Sequence, residues 1–301
     1  MVKPLLSVII LSYNTRDLLL NCLESLSEVK KEIDFEIIVS DNGSTDDSVA
    51  MVKKHFPKVS LVLNKENLGF AKGNNRAKNL CRGKYVLFLN SDTIVKKNTL
   101  KKTTMYLEKN PEVGALTCKI YLPDGSLDKD ARRSFITPWI GLVHIFLRLD
   151  RIFPKSKLFA KYWYGYISPD RTHEVDALQG AYFMSRKEIL DKVGWFDEDY
   201  FLDGEDIDLS WKIKELGWKI VYYPEVSIIH LKGATKGKNK KSSKYVSLKE
   251  KKKFRMSGVN SMEIFYRKRL WEKYPLVVNL VVLTGIKAVK IARYIKLMIT
   301  G

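Results

Sequence analysis

Short apolar runs alternate with amphipathic stretches through the first 120 residues: LLSVIIL at 5–11, FEIIVS at 35–40, VSLVLN at 59–64 and YVLFLN at 85–90. Helix-like spacing follows the first three, around Leu18 to Leu26, after Asp46 and after Gly69. Near-continuous apolar strands separated by helices predict parallel βαβ units in a sheet covered on both faces, and hence an α/β fold. In such sheets ligands bind beyond the carboxyl ends of the strands. Those ends are polar four times over: Ser12, Tyr13 and Asn14; Ser40, Asp41 and Asn42; Asn64 and Asn67; Asn90, Ser91 and Asp92. One polar strand end is a turn; four on one edge mark a site.

Beyond residue 120 the pattern loosens. Residues 121–175 carry aromatic patches, PWIGLVHIF and KYWYGY, without a repeat, and read as a variable insert. From 176 to 231 order returns: a strand near Ala181 to Ser185, a helix from about Gly204 to Leu216 and two apolar runs, KIVYY and VSIIH. Leu209, Ile213 and Leu216, at helical spacing, predict the buried stripe of that helix. Residues 232–254 are lysine-rich and poor in large apolar side chains, which predicts a mobile loop.

At 301 residues and 45% hydrophobic content the chain can bury a sizeable core. Cys22, Cys81 and Cys118 are odd in number and far apart, as expected of buried thiols in a reducing compartment. The opening MVKPLLSVIILSYN is broken by Asn14 and Arg16 with no small-residue cleavage site, so it reads as a first strand. The net charge of +19 is uneven: residues 231–301 hold 19 Lys and Arg against three Glu, leaving +3 for the rest. The basicity belongs to the tail. Only Tyr245 and Phe254 interleave with the lysines of 232–255, a poor stacking platform for nucleic acid.

Asp41, in IIVSDNGSTDDS, serves either as an Asx turn leading to an N-cap at Asp46 or as an acceptor for the imide N–H of a pyrimidine base. Gly69 and Gly73, in NKENLGFAKGNN, either pack a helix start or let a phosphate approach its backbone. Asp92 is a candidate ligand for a divalent cation bridging a diphosphate. Seven acids stand between Asp197 and Asp208, more than helix capping explains, and the helix stripe turns Glu205 and Asp206 toward the helix mouth. His230, at the end of VSIIH, is either structural or a metal ligand.

Together SVIILSYN, IIVSDNGSTDDS, NLGFAKGNN, FLNSD, QGAYFMSR, GWFDEDYFLDGEDIDLSWK and the closing His230 resemble the family 2 glycosyltransferases of the GT-A fold, in the bacterial rhamnosyltransferase-like branch. The likeness covers roughly residues 5–235. It implies a Rossmann-like, mostly parallel sheet flanked by helices, and inverting transfer of a sugar from a nucleotide-diphosphate donor, dTDP- or UDP-linked, to a hydroxyl of a glycan or lipid-linked acceptor. Asp41 would then recognise the base. Ser12, Tyr13, Asn14, Asn67, Gly69, Lys72, Asn74, Asn90 and Ser91 would surround the donor nucleotide. Asp92 and His230 would hold Mn²⁺ or Mg²⁺, Asp206 with Glu205 would form the catalytic pair, and Gly180, Trp195 and Asp203 would face the acceptor. Asn90 replaces the first Asp of the usual Asp-x-Asp metal motif, and Lys212 stands where an Arg is common, losing the planar fork for a diphosphate. A nucleotidyltransferase is the competing reading, but it usually carries a Gly-rich basic loop near the first strand, where SYNTRD stands here.

The expected organisation is a catalytic domain over 1–235, with the insert at 121–175, followed by a basic loop and an amphipathic helical region over 236–301. Residues 275–299 join an apolar run, Pro275 to Ile286, too short to span a bilayer, to Lys287, Lys290, Arg293 and Lys296 at three-residue steps. Such a helix either packs on the catalytic domain or lies on an anionic membrane surface; the second reading is favoured and predicts a peripheral protein on the cytoplasmic face of the membrane.

Overall fold

The computed structural model describes residues 3–232 and 248–300. The four leading apolar runs are strands β1 (Leu6–Ser12), β2 (Phe35–Asp41), β3 (Ser60–Leu63) and β4 (Tyr85–Asn90). The helices between them are α1 (Arg16–Glu28), α2 (Ser48–His55) and the short α3 (Phe70–Asn75). After β4 come β5 (Thr93–Val95), α4 (Thr99–Lys109) and β6 (Val113–Tyr121), then in the insert α5 (Pro138–Gly141), a π-helical turn over Leu142–Leu147 and α6 (Leu149–Ile152). The chain continues through β7 (His173–Glu174), β8 (Tyr182–Arg186), α7 (Lys187–Val193), α8 (Glu205–Glu215), β9 (Lys219–His230), α9 (Leu248–Phe265) and α10 (Leu276–Thr300).

All strands join one sheet in the order β3-β2-β1-β4-β8-β6-β9-β5, with β7 paired to β9. The β3-β2-β1-β4 half is parallel, as its two-sided burial requires. β8 enters antiparallel between β4 and β6, and β9 runs parallel to β6. Consequently the ends of β1, β2, β4 and β9 and the start of β8 meet at one sheet edge.

Four expectations change. KIVYY and VSIIH are one strand, β9, whose register on β6 jumps between Cys118 and Lys119, the partners moving from Tyr223 to Ser227. Pro224 falls in that irregularity, where a residue lacking an N–H costs no ladder bond. Leu209 and Ile213 are buried, but Leu216 lies past the last turn of α8 and is 51% exposed. Trp211 fills a second cluster instead, with Tyr200, Val259, Phe265, Tyr266 and Ile286. Asp46 does not cap α2 as its N-cap: Asp47 holds that place, at φ +63°, while Asp46 accepts from the backbone N–H of Arg16 and of Ser48.

The lysine-rich stretch lies mostly outside the described residues, and from Leu248 the chain is helical rather than a loop. Beyond that cluster, the C-terminal helices are fastened by ion pairs. Arg269 grips the fully buried Asp208 through two hydrogen bonds, at 2.7 and 3.0 Å, and Lys268 reaches Asp197 and Asp199. Part of the acid excess seen in the sequence is therefore a docking interface.

Candidate active site

A cleft opens at the shared sheet edge. Of the residues expected there it is lined by Tyr13, Asn67, Gly69, Asn90, Ser91, Asp92, Gly180, Asp203, Glu205, Asp206 and His230. Tight loop packing shapes its first wall. Asn64 Nδ2 donates to Ser40 Oγ and Asn42 Oδ1, Asn42 Nδ2 donates to Asn67 Oδ1 and the Gly69 carbonyl, and the Gly69 N–H returns to Asn67 Oδ1. Gly69 sits at φ +84°, and a Cβ there would lie 2.3 Å from the Phe201 carbonyl oxygen. The close approach its lack of a side chain permits is to the chain's own loop.

Asp41 makes the Asx turn: its Oδ2 accepts from the N–H groups of Gly43 (3.1 Å) and Ser44 (2.9 Å). Its Oδ1 is buried without a hydrogen-bond partner, so the turn leaves one acceptor over. Ser12 lies behind the wall, in a chain of hydroxyls with Thr15 and Ser91. Asn14, at φ +53°, staples the β1 end to the β2 loop by accepting from the Thr45 N–H at 2.7 Å.

Several expected positions are elsewhere. Lys72 is exposed away from the cleft lining, and Asn74 is buried with its side chain donating to the Phe70 carbonyl of its own helix. Trp195 is buried edge-on against Phe88 with its indole N–H on Asp191, because its side chain completes the core under β4 rather than the cleft. Lys212 turns from the cleft to cap the carbonyls of Val193 and Trp195.

The second wall holds the acids. Asp92 is buried, and its Oδ1 has no hydrogen-bond partner although His230 Nε2 lies 3.3 Å away. Asn90 Nδ2 also stands 3.4 Å from that nitrogen, so Asn90 faces the imidazole. The other ring nitrogen, Nδ1, lies 3.4 Å from Asp128 Oδ2, and Lys232 spans Asp128 and Asp130 at 2.9 and 2.8 Å. Burial works against a charge on His230, but the flanking carboxylates of Asp128 and Asp92 prevail and raise it to about 9. Burial likewise opposes ionisation of Asp128, and the contacts from His230 and Lys232 hold its carboxyl well below the usual range.

Opposite, α8 brings Asp206 to the cleft from its first turn, with Glu205 buried beside it. Asp206 Oδ2 accepts from Arg133 Nη2 at 2.8 Å and from the Gly180 N–H at 3.1 Å, and Oδ1 accepts from the Ile207 N–H. Gly180 is pinned because a Cβ would meet the Phe70 ring at 2.9 Å. Arg133 also donates to the Leu178 carbonyl at 2.6 Å. Asp128 and Arg133, both in the insert, escaped the sequence reading. Their signal was the polar run DGSLDKDARR inside a segment otherwise rich in aromatics.

The residues fit a divalent cation held by few protein ligands. Among the described residues no three His, Cys, Asp or Glu side chains gather as a metal-ligand group. Asp92 Oδ1, buried and without a hydrogen-bond partner, nevertheless stands 3.3 Å from His230 Nε2, and a cation bound between them would displace the imidazole proton. Mg²⁺ is commonly held by one or two carboxylates with substrate phosphates supplying the rest, and Mn²⁺ shares the taste for carboxylate oxygen, so Asp92 with few other ligands suits a cation that arrives with a diphosphate.

Residues 7–194 match the family model for glycosyl transferase family 2. The chain belongs to that family. This transferase is 28% identical over 247 residues, 78% of each chain, to an N-acetylglucosaminyl-diphospho-decaprenol L-rhamnosyltransferase of Mycobacterium tuberculosis, which sets it in the rhamnosyltransferase-like branch. Its fold is like that of GalNAc-T7 solved with UDP, GalNAc and Mn²⁺: TM-score 0.56, 16% identity, 75% of this chain and 44% of that one. It is also like S. aureus TarS residues 1–349 with UDP-GlcNAc, at TM-score 0.53 and 21% identity over 85% of this chain and 66% of that one. The GT-A fold expected from the motifs is the fold of the chain, and the enzyme is a sugar transferase rather than a nucleotidyltransferase.

Proposed function

We propose that the transferase moves a sugar, rhamnose or a hexose, from a dTDP- or UDP-linked donor to a hydroxyl of a lipid-linked glycan during cell-surface polysaccharide synthesis, with inversion at the anomeric carbon. The observation that carries this is the meeting in one cleft of an orphaned Asp92 acceptor beside His230 on one wall and the Arg133-held Asp206 on the other. The mycobacterial relative's name, with its diphospho-decaprenol acceptor, supports the lipid-linked class. The UDP ligands of the two solved neighbours support the donor class.

In this reading Asp41 Oδ1 accepts the imide N–H of the base, and Tyr13 flanks the nucleoside. Asp92 and His230 would hold Mn²⁺ or Mg²⁺, which when bound offsets charge developing on the departing diphosphate. Asp206, oriented by Arg133 and the Gly180 N–H, takes the proton of the acceptor hydroxyl. The hydroxyl oxygen bonds the anomeric carbon as the bond to the diphosphate oxygen breaks, and that oxygen leaves with the electron pair. Gly180 and Asp203 border the acceptor side. Residues 1–235 carry the chemistry, and 236–301 hold the enzyme peripherally on the cytoplasmic face of the membrane.

The test is Asp206→Asn. General-base catalysis contributes about 10²–10⁴-fold, so the variant should lose transfer by that factor while binding donor within about threefold of the parent. Near-normal turnover would remove Asp206 from the role.

A further inference from the structure

The basic steps of α10 do not form one face. With 3.6 residues per turn, each three-residue step drifts about 60° round the helix. Lys290 and Arg293 consequently fall toward the docked side, where Lys290 is half-buried and Arg293 Nη1 reaches the Arg255 carbonyl. The outward stripe is apolar instead. Val277 (73% exposed) and Val281 (67%), then Ile291, Ile295 and Met298 (74%), fall on one side of a helix whose other side is packed, with the exposed Thr284 and Ala288 between the two groups.

That stripe has a neighbour. Phe146, in the π-helical turn of the insert, lies 3.2 Å from where a Cβ would stand on Gly285, so the insert abuts α10 beside Val281. From there exposed apolar residues continue along the insert through Leu147, Ile152, Phe153 and Leu158. Trp139 joins them by donating its indole N–H to the Leu158 carbonyl. Arg148, Arg151, Lys155 and Lys157 are exposed among them, and the one acid there, Asp150, is buried against His144 at 2.8 Å. No acid occurs in residues 273–301. No described helix is long and apolar enough to cross a membrane.

We infer that the transferase docks on an anionic bilayer through a composite face, the outer stripe of α10 together with the apolar ledge of insert residues 139–158. This rests on the peripheral-membrane reading above and adds a second, sequence-distant half to it. The occupant follows from charge. A surface of apolar side chains ringed by cations and lacking exposed acids complements anionic headgroups over acyl chains, whereas a second copy of the same face would oppose like charges. Asp203 Oδ2 and Arg293 Nη1 both lie within 3.6 Å of the Cβ position at Gly258 of α9, so it is the packed side of α10, not the outer stripe, that stands next to the cleft.

The test is sedimentation of the full chain with phosphatidylglycerol–phosphatidylcholine vesicles and with phosphatidylcholine alone. Three proteins are compared: the parent, a ledge variant (Leu147→Ser, Ile152→Ser, Leu158→Ser) and a helix variant (Val277→Ser, Val281→Ser, Met298→Ser). Unchanged thermal midpoints and unchanged Mn²⁺–UDP binding establish that the variants fold. The expected result is binding of the parent to anionic vesicles, weakened by salt, with a loss of roughly tenfold or more in each variant. If the ledge variant binds like the parent while the helix variant does not, the composite face is wrong and the C-terminal reading stands. If the parent ignores anionic vesicles, both fail. If the parent is a dimer that the ledge variant dissociates, the face is a contact between copies and the inference is overturned.

Discussion

Arg133 decides how Asp206 is presented. Its Nη2 contacts both the carboxylate and the Leu178 carbonyl, and the pair is largely shielded from water. Removing one partner of a buried pair leaves the other charge uncompensated, so Arg133→Met should cost about 3–5 kcal/mol in denaturant unfolding and lower transfer as well. Arg133→Lys should recover part of the stability but little of the rate, because an ammonium lacks the planar fork. Equal activity in all three proteins would show that Asp206 needs no such orientation. The cysteines give a second prediction. Burial pushes the Cys22 and Cys81 thiols up to about 12, and Cys118 is fully buried. Ellman's reagent at neutral pH should therefore label none of the three until the protein unfolds, and fast labelling of the native chain would contradict their burial. At this scale the sequence was legible where a residue ends a strand, as with Asn90, Asp92 and His230. It was opaque for Arg133 and Asp128, because the insert has no period to say which of its charges turn inward.

Ion pairs of unequal burial hold α9 and α10 to the rest of the chain. The Arg269–Asp208 fork is buried and bidentate, whereas Lys268 meets Asp197 and Asp199 nearer the surface. Arg269→Ala should consequently destabilise by about 3 kcal/mol or more and Lys268→Ala by about 1 kcal/mol or less, measured by chemical denaturation. Similar losses from both would mean that the fork does not anchor the helices. The parallel strands could be read directly because burial on both faces writes them as unbroken apolar runs. β6 could not, since VGALTCKIY mixes Gly114, Cys118 and Lys119 into the strand. Gly114 has a packing reason that no periodicity shows: a Cβ would come within 2.7 Å of Trp218 Cβ. α10 was legible as an apolar helix, but its face assignment needed the docking of Ile286 and its neighbours to say which side remains outside.

For the whole molecule, one sheet edge gathers groups that are far apart in the chain. Asn90 and Asp92 meet His230 because the chain leaving β4 crosses to β9, where β5 pairs antiparallel with Thr93 opposite His230, and Asp206 faces them because α8 starts at the same edge. The motif order along the sequence conveyed that these residues belong together, and only the sheet order conveyed that the insert closes the site through Asp128 and Arg133. The central claim is that the cleft takes a nucleoside diphosphate with a divalent cation at Asp92, leaving Asp206 for the acceptor. Calorimetric titration of UDP and dTDP, with Mn²⁺ and with EDTA, into the parent, Asp92→Asn and Asp206→Asn tests it most directly. The account predicts cation-dependent binding in the parent and in Asp206→Asn, and a loss of that dependence in Asp92→Asn. Binding unaffected by EDTA, or an Asp92→Asn variant with the parent's cation response, would contradict it.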